Sequence, residues 1–308
     1  GFMKTIVLGG FEEFEGFVIG ALARKEDALI VNGLRGDADW FCNAVCDAEA
    51  GLFDFDGTLH GGKQGTPQTG NQWKDIAKLM TPEDQAGDRE EASWYFARKD
   101  GEPTPEEITR FGFNSIRRMR SSRISEDDYV RLARASPPRD GAVRLLRSFA
   151  RRHARERCAI VSFGMERYIR EWSAEHGVED GLIIAATKVH FTGRFRDEGT
   201  YISAITSTVS HADPLSFVGT HNKGHVAHAI VESFEIPMER VLVAGDSPTD
   251  MHMMSAGNLA VLVVPHGDPD PQRVAFRLRG LAEMWPRVAA VLVSDSLEAL
   301  AEMRLPRA

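Results

Sequence analysis

Cysteine is scarce in this chain. The 308 residues hold three thiols, Cys42, Cys46 and Cys158, too few and too scattered for a disulfide framework. Cys42 and Cys46 stand close together, but no second ligand pair lies nearby, and a structural zinc needs four ligands. They read as plain thiols. Basic charge is also short: 37 Lys and Arg against 45 Asp and Glu leave a net charge of −8. That balance argues against a whole-surface grip on a nucleic acid polymer or an anionic membrane. Long apolar runs are missing too. The longest, Leu259 to Val264, falls far short of the ~20 residues that span a bilayer. No basic, apolar leader is evident near the start, so a cytoplasmic location is expected. Gly9-Gly10 lacks the Gly-Lys-Ser/Thr ending of a nucleotide loop, and no internal repeat or low-complexity tract appears.

What is present is ordinary globular material. Hydrophobic residues at 43% and charged residues at 27% exclude a mostly disordered chain. The length suggests two domains, or one large domain with an insertion. Short apolar runs at Leu52–Asp56, Cys158–Ser162, Val241–Asp246, Leu259–Val264 and Val288–Val293 read as buried strands. Helical patterns fall near 142–153, 165–176, 223–235, 249–256, 270–284 and 296–303. Continuous apolar strands alternating with helices predict a doubly wound α/β fold, a parallel sheet covered on both faces. Residues 60–136 break the alternation. After a Gly/Gln/Thr/Pro linker (Gly61 to Gly70) they read as helical segments interrupted by Pro82, Pro103 and Pro105, closing at Pro137-Pro138. The expected organisation is an N-terminal extension over 1–49, a core from 50–59 and 137–308, and an inserted helical unit over 60–136. Thr5–Leu8 and Ala28–Val31 look like strands of the extension, with its place in the main sheet left open.

The chemistry-bearing residues gather at the C-terminal ends of the predicted strands, where open α/β sheets bind ligands. Asp54-Phe55-Asp56-Gly57-Thr58 places two acids on one side of an extended strand. Buried like charges stay ionised only beside a cation or by sharing a proton. Gly57 permits a sharp exit. Ser162, with Phe163 and Gly164 after it, ends a second strand and offers a hydroxyl and free amides to an anion. Asn222-Lys223-Gly224 opens a helix, and a lone lysine there is usually only solvated. Gly245-Asp246-Ser247-Pro248-Thr249-Asp250 ends another strand; Asp250 or Thr249 is a ready helix cap, whereas Asp246 is not explained that way.

Taken in order, Asp-x-Asp-Gly-Thr-Leu (Asp54 to Leu59), the strand-end Ser162, Lys223 and Gly-Asp-x-x-x-Asp resemble the four motifs of the haloacid dehalogenase-like superfamily, over roughly residues 50 to 265. The resemblance implies a Mg²⁺-dependent phosphomonoester hydrolase acting through an aspartyl-phosphate on a small phosphorylated metabolite. Asp54 would be the nucleophile and Asp56 the acid and base. Asp54, the Asp56 backbone carbonyl and Asp246 would hold Mg²⁺, with Asp250 a water-mediated ligand or the holder of Lys223. Thr58, Ser162, the Phe163 amide and Lys223 would bind the phosphoryl group. An acid at 56 points away from the dehalogenating members. A phosphomutase or phosphotransferase, or a retired binding module on the same fold, remains the alternative.

Spacing locates the expected substrate-gating cap. Asp56 and Ser162 stand 106 positions apart, whereas Ser162 and Lys223 are separated by 61, enough for a helix, a strand and a short excursion. Residues 60–136 are therefore the expected cap, as in the phosphoserine-phosphatase-like branch. Within it, arginines 110, 117, 118, 120 and 123 run without an acid, either as a solvated helix face or as a grip on a substrate anion. Trp73, Trp94, Tyr95 and Phe96 are expected to pack between cap helices rather than line a pocket. His221, His225 and His228 surround Lys223; His225 and His228 share a helical face and make a conceivable metal pair, but no third ligand for it is evident.

Overall fold

The computed structural model describes residues 3–61, 70–96, 104–152, 157–192, 208–212, 217–219, 222–247, 250–266 and 282–305. Eight strands form one sheet: β1 (Lys4–Leu8), β2 (Ala28–Asn32), β3 (Ala50–Phe53), β4 (Cys158–Met165), β5 (Leu182–Thr187), β8 (Val241–Gly245), β9 (Leu259–Val264) and β10 (Val288–Val293). Their spatial order is β1-β2-β10-β9-β8-β3-β4-β5, parallel throughout except where β10 runs antiparallel to β2. β2, β3, β8, β9 and β10 are buried along their whole length, which is why they read as unbroken apolar runs.

Alternation along the strands feeds two cores. Val261 and Val263 of β9 join one cluster with Phe41, Val45, Leu145 and Phe149, while Ala260 and Leu262 join the other with Phe14, Val18, Val231 and Met254. The helices behind the first cluster are α2 (Ala38–Asp47) and α7 (Ala142–Arg152). Behind the second lie α1 (Phe11–Arg24), α9 (Lys223–Ser233) and α10 (Met251–Met254). α8 (Glu166–Glu175) follows β4, and α11 (Glu298–Met303) closes the described chain. The question left open by the extension has a clear answer: β1, α1 and β2 extend the main sheet beyond β10. Trp285 seals the junction by stacking on Phe14 at 4.4 Å.

Two strands differ from the sequence reading by more than one residue at a boundary. The strand expected at Leu52–Asp56 is Ala50–Phe53. Asp54 N–H still donates to the Ala244 carbonyl at 2.9 Å, but the chain then wraps around the Phe55 carbonyl, which accepts from Leu59 N at 3.0 Å and His60 N at 2.9 Å. The strand expected to stop at Ser162 runs on to Met165, with an irregularity between Val161 and Met165. The helix expected at 270–284 falls largely outside the described residues, and 282–287 form a 3₁₀ turn.

Between β3 and β4 the described chain is helical: α3 (Gln72–Ala77), α4 (Pro82–Phe96), α5 (Pro105–Ser121) and α6 (Glu126–Ala135). Pro82 and Pro105 open their helices instead of interrupting them, because the first helical residue needs no N–H partner. Thr104 and Glu107 complete a reciprocal capping box for α5. The excursion after β5 is a hairpin of β6 (Val189–Thr192) and β7 (Thr208–Ala212), and β7 packs on α5. No described helix is long and apolar enough to cross a membrane.

Candidate active site

Because β8, β3 and β4 are neighbours in the sheet, their C-terminal ends bring Asp246, Asp54 and Ser162 to one edge. Lys223, the first residue of α9, enters the same place and is 2% exposed. Its ammonium donates to Asp54 Oδ1 at 2.5 Å and to Asp250 Oδ1 at 2.5 Å. Asp250 Oδ2 accepts from Asp246 N and Ser247 N, each at 3.1 Å, and from Ser247 Oγ at 3.0 Å. Asp250 thus commits both oxygens inside the protein. It stands at the N-cap of α10 but makes no side-chain cap bond, so the capping role offered by the sequence is not the one it takes.

The electrostatics show a deficit of positive charge. Burial pushes the Asp54 carboxyl well above the ordinary carboxylate range, the Asp250 charge adds to this, and Lys223 only partly opposes it. Burial works against the Lys223 ammonium as well, yet Asp250 and then Asp54 outweigh it and raise its pKa. Carboxylate oxygens of Asp54, Asp246 and Asp250 lie within 4.8 Å of one another. An all-oxygen donor set short of positive charge fits a hard divalent cation such as Mg²⁺. Since Asp250 is already saturated, Asp54 and Asp246 are the side chains suited to hold it. Gly57, at φ +80°, takes a backbone shape suited to glycine, and a Cβ there would overlap the Asp246 carboxylate.

Asp56 lies beside this cluster. Its Oδ1 accepts from Gln72 N at 2.9 Å and faces His60 Nδ1 at 3.2 Å. His60 is fully buried, stacks on Phe55 at 5.2 Å, and turns Nε2 toward Asp75 Oδ2 at 3.9 Å. Ser162, 1% exposed, accepts from Gly164 N at 3.0 Å. Thr58 Oγ1 is buried with no hydrogen-bond partner among the described residues, so it holds an unused donor at the turn. The Phe163 ring stacks on Trp73 at 5.1 Å and meets Phe217 edge-on at 5.7 Å.

The remaining sequence candidates separate clearly. Arg118 pairs with Glu91 at 2.6 Å and with Asp88 at 3.4 Å, inside the helical segment. Burial raises the Asp88 carboxyl despite that arginine. Arg110, Arg117, Arg120 and Arg123 are exposed. Trp73 is buried, Trp94 is exposed, and the side chains of Tyr95 and Phe96 lie outside the described residues. His225 is exposed, His228 bonds Ser255 Oγ at 3.1 Å, and His221, Pro248 and Thr249 lie outside the described residues. Sequence reasoning missed His60, Gln72 and Arg139. Arg139 is buried and donates to the Gly57 carbonyl and, at 3.2 Å, to that of Ser294. Burial lowers its pKa, while Asp246 and Asp295 oppose the shift. Only His60 left a trace in the sequence, four residues after Asp56.

A family model described as haloacid dehalogenase-like hydrolase matches residues 52–255, the stretch that carries every acid of this cluster. No curated protein sequence matches the chain significantly. Among solved structures the fold is similar to that of cytosolic 5′-nucleotidase IIIB bound to cytidine, with a TM-score of 0.55 and 15% identity over 86% of this chain and 88% of that one. A phosphoserine phosphatase solved as a phospho-aspartyl intermediate analogue gives a TM-score of 0.48 at 15% identity, covering 70% and 87%. The probable phosphoserine phosphatase from Vibrio cholerae gives 0.47 at 16% identity, covering 86% and 70%.

Proposed function

The chain belongs to the haloacid dehalogenase-like hydrolases, and from that premise we propose that it is a cytoplasmic, Mg²⁺-dependent phosphatase of a small phosphorylated metabolite. The observation that carries the reading is the buried Asp54–Lys223–Asp250 chain, with Asp246 beside it. A carboxylate held against an ammonium at a strand end is placed for nucleophilic attack on phosphorus. No described residue other than Lys223 donates a hydrogen bond to Asp54, so Oδ2 is available to attack.

In the proposed reaction Asp54 Oδ2 attacks phosphorus and the ester oxygen departs, taking its proton from Asp56. Water then attacks the aspartyl-phosphate, giving a proton back to Asp56 and releasing inorganic phosphate. Lys223, the Ser162 hydroxyl, the Phe163 amide and the unpartnered Thr58 hydroxyl take the phosphoryl oxygens. Mg²⁺, held by Asp54, the Asp56 backbone carbonyl and Asp246, would supply charge neutralisation for those oxygens. Residues 60–136 act as the cap, 1–49 as an extension on the core, and 50–59 with 137–308 as the core itself. The stacking of Trp73 on Phe163 joins the helical segment to the strand end that carries Ser162, which supports the reading of a small, enclosed substrate.

A panel of phosphorylated metabolites, nucleoside monophosphates included, assayed with Mg²⁺ tests this reading. Asp54→Asn should lower kcat by more than the ~10²–10⁴ of one acid/base group while the fold persists. A variant retaining a tenth of wild-type kcat would sink the mechanism. EDTA should abolish turnover, and Asp246→Ala should recover only part of it in excess Mg²⁺; full activity in EDTA refutes the metal assignment. Phosphate transferred to an added alcohol or sugar instead of to water would identify a phosphotransferase.

A further inference from the structure

Three hydrogen bonds knit the start of the helical segment to the turn after β3 and to the end of β4. Gly57 N–H donates to the Gly70 carbonyl at 3.0 Å. Gln72 N–H donates to Asp56 Oδ1 at 2.9 Å. Met165 N–H donates to the Gln72 side-chain Oε1 at 2.8 Å. Gln72 is fully buried, a rare setting for a glutamine. Its amide lies so close to Gly164 that a Cβ there would collide with it. The Nε2 donor finds no partner among the described residues. A buried amide with an unused donor is costly, of the order of 1–3 kcal/mol. Packing alone would be served better by leucine or methionine.

We propose that Gln72 is a positioning residue through which docking of the cap orients Asp56 for proton transfer. The inference rests on the phosphatase reading above. The Gln72 side chain is clamped to the end of β4, the strand that carries Ser162, and its backbone N–H then reaches Asp56 Oδ1. With Oδ1 engaged by Gln72 and facing His60, Oδ2 is left to meet the leaving-group oxygen. If the helical segment lifts away, both bonds are lost together and the Asp56 carboxyl is free to rotate. Acid assistance is then coupled to docking of the helical segment on the core.

The test is the dependence of kcat/KM on the leaving group, since this constant covers the steps up to departure of the alcohol. Wild type, Gln72→Leu and Gly164→Ala are compared on 4-nitrophenyl, phenyl and benzyl phosphates with Mg²⁺. A nitrophenolate leaves without a proton; benzyl alcohol needs one. Both variants should lower the ratio of kcat/KM on benzyl phosphate to kcat/KM on 4-nitrophenyl phosphate tenfold or more. Gln72→Glu, which keeps the acceptor for Met165 N–H, should recover part of the loss. The double variant should be no worse than either single one, because both break one clamp. Equal losses on all three esters, additive losses in the double variant, or no loss would overturn the proposal. Melting temperature checks folding, and Gly164→Ala, which leaves Gln72 in place, keeps the test alive should Gln72→Leu unfold. If Asp54→Asn remains active, the phosphatase reading itself fails and the two outcomes stay distinct.

Discussion

At the scale of single residues the molecule concentrates its electrostatic cost in one place. Asp54, Lys223 and Asp250 are all nearly or fully buried, and removing one partner of such a set costs about 3–5 kcal/mol because the others are left unpaired. Cys158 shows burial acting on a single titratable group. Burial at the start of β4 pushes its thiol up to about 12, with only slight relief from Arg304. A raised folded pKa means that the neutral thiol stabilises the fold below the unfolded value near ~8.5, and that this contribution is lost as pH climbs toward the folded value. Denaturant unfolding between pH 9 and 11 should therefore show wild type losing about 1.4 kcal/mol per pH unit more than Cys158→Ala. Parallel stability curves for the two proteins would show that the thiol is not sealed.

At the scale of elements, caps and register do most of the placing. The Thr104–Glu107 box and Pro105 start α5, and the buried face of that helix presents Ile108, Phe111, Ile116 and Met119. The antiparallel pairing of β2 with β10 sets Ile30 opposite Val291. Ile30 is fully buried in the cluster that holds Phe14 and Trp285. Ile30→Ala should cost about 2–5 kcal/mol in unfolding free energy, because a cavity opens between strands that cannot collapse independently. The strands bearing Asp54, Asp246 and Ser162 are not its neighbours, so kcat should stay within twofold of wild type. A destabilisation below 0.5 kcal/mol would mean that the extension is only loosely attached to the sheet.

At the scale of the whole molecule, aromatic contacts join the helical segment to the core beside Ser162. Phe113 stacks on Phe217 at 4.8 Å, and Trp73 lies against Phe163. Gly112 sits between them: a Cβ there would come within 3.0 Å of the Phe163 ring and 3.2 Å of Phe217. A leucine needs far more room than those rings can yield, so Gly112→Leu should hold the segment off the core. We expect KM to rise at least tenfold on the enclosed substrate while far-UV circular dichroism is unchanged. Unaltered kinetics would show that this contact does not gate the site.

The sequence alone determined the parts governed by local rules. Unbroken apolar runs predicted strands because a strand covered on both faces has no polar side, and the acids at their ends followed as loop residues. Pro82 and Pro105 read as interruptions of a helical stretch, yet each opens a helix, because a proline is tolerated at the first helical position and which side of it the helix lies on is not set by the proline alone. Tertiary structure decided the rest. By position alone Asp250 reads as a cap, and only the family resemblance offered it as the holder of Lys223; the docking of α9 supplies the ammonium that its carboxylate accepts from. Arg118 reads as a free cation until α4 brings Glu91 to it. Arg139 reaches Gly57 and Gln72 reaches Met165 across long stretches of chain. No propensity encodes such contacts, because they exist only once sheet register and helix docking have fixed which distant residues share a wall.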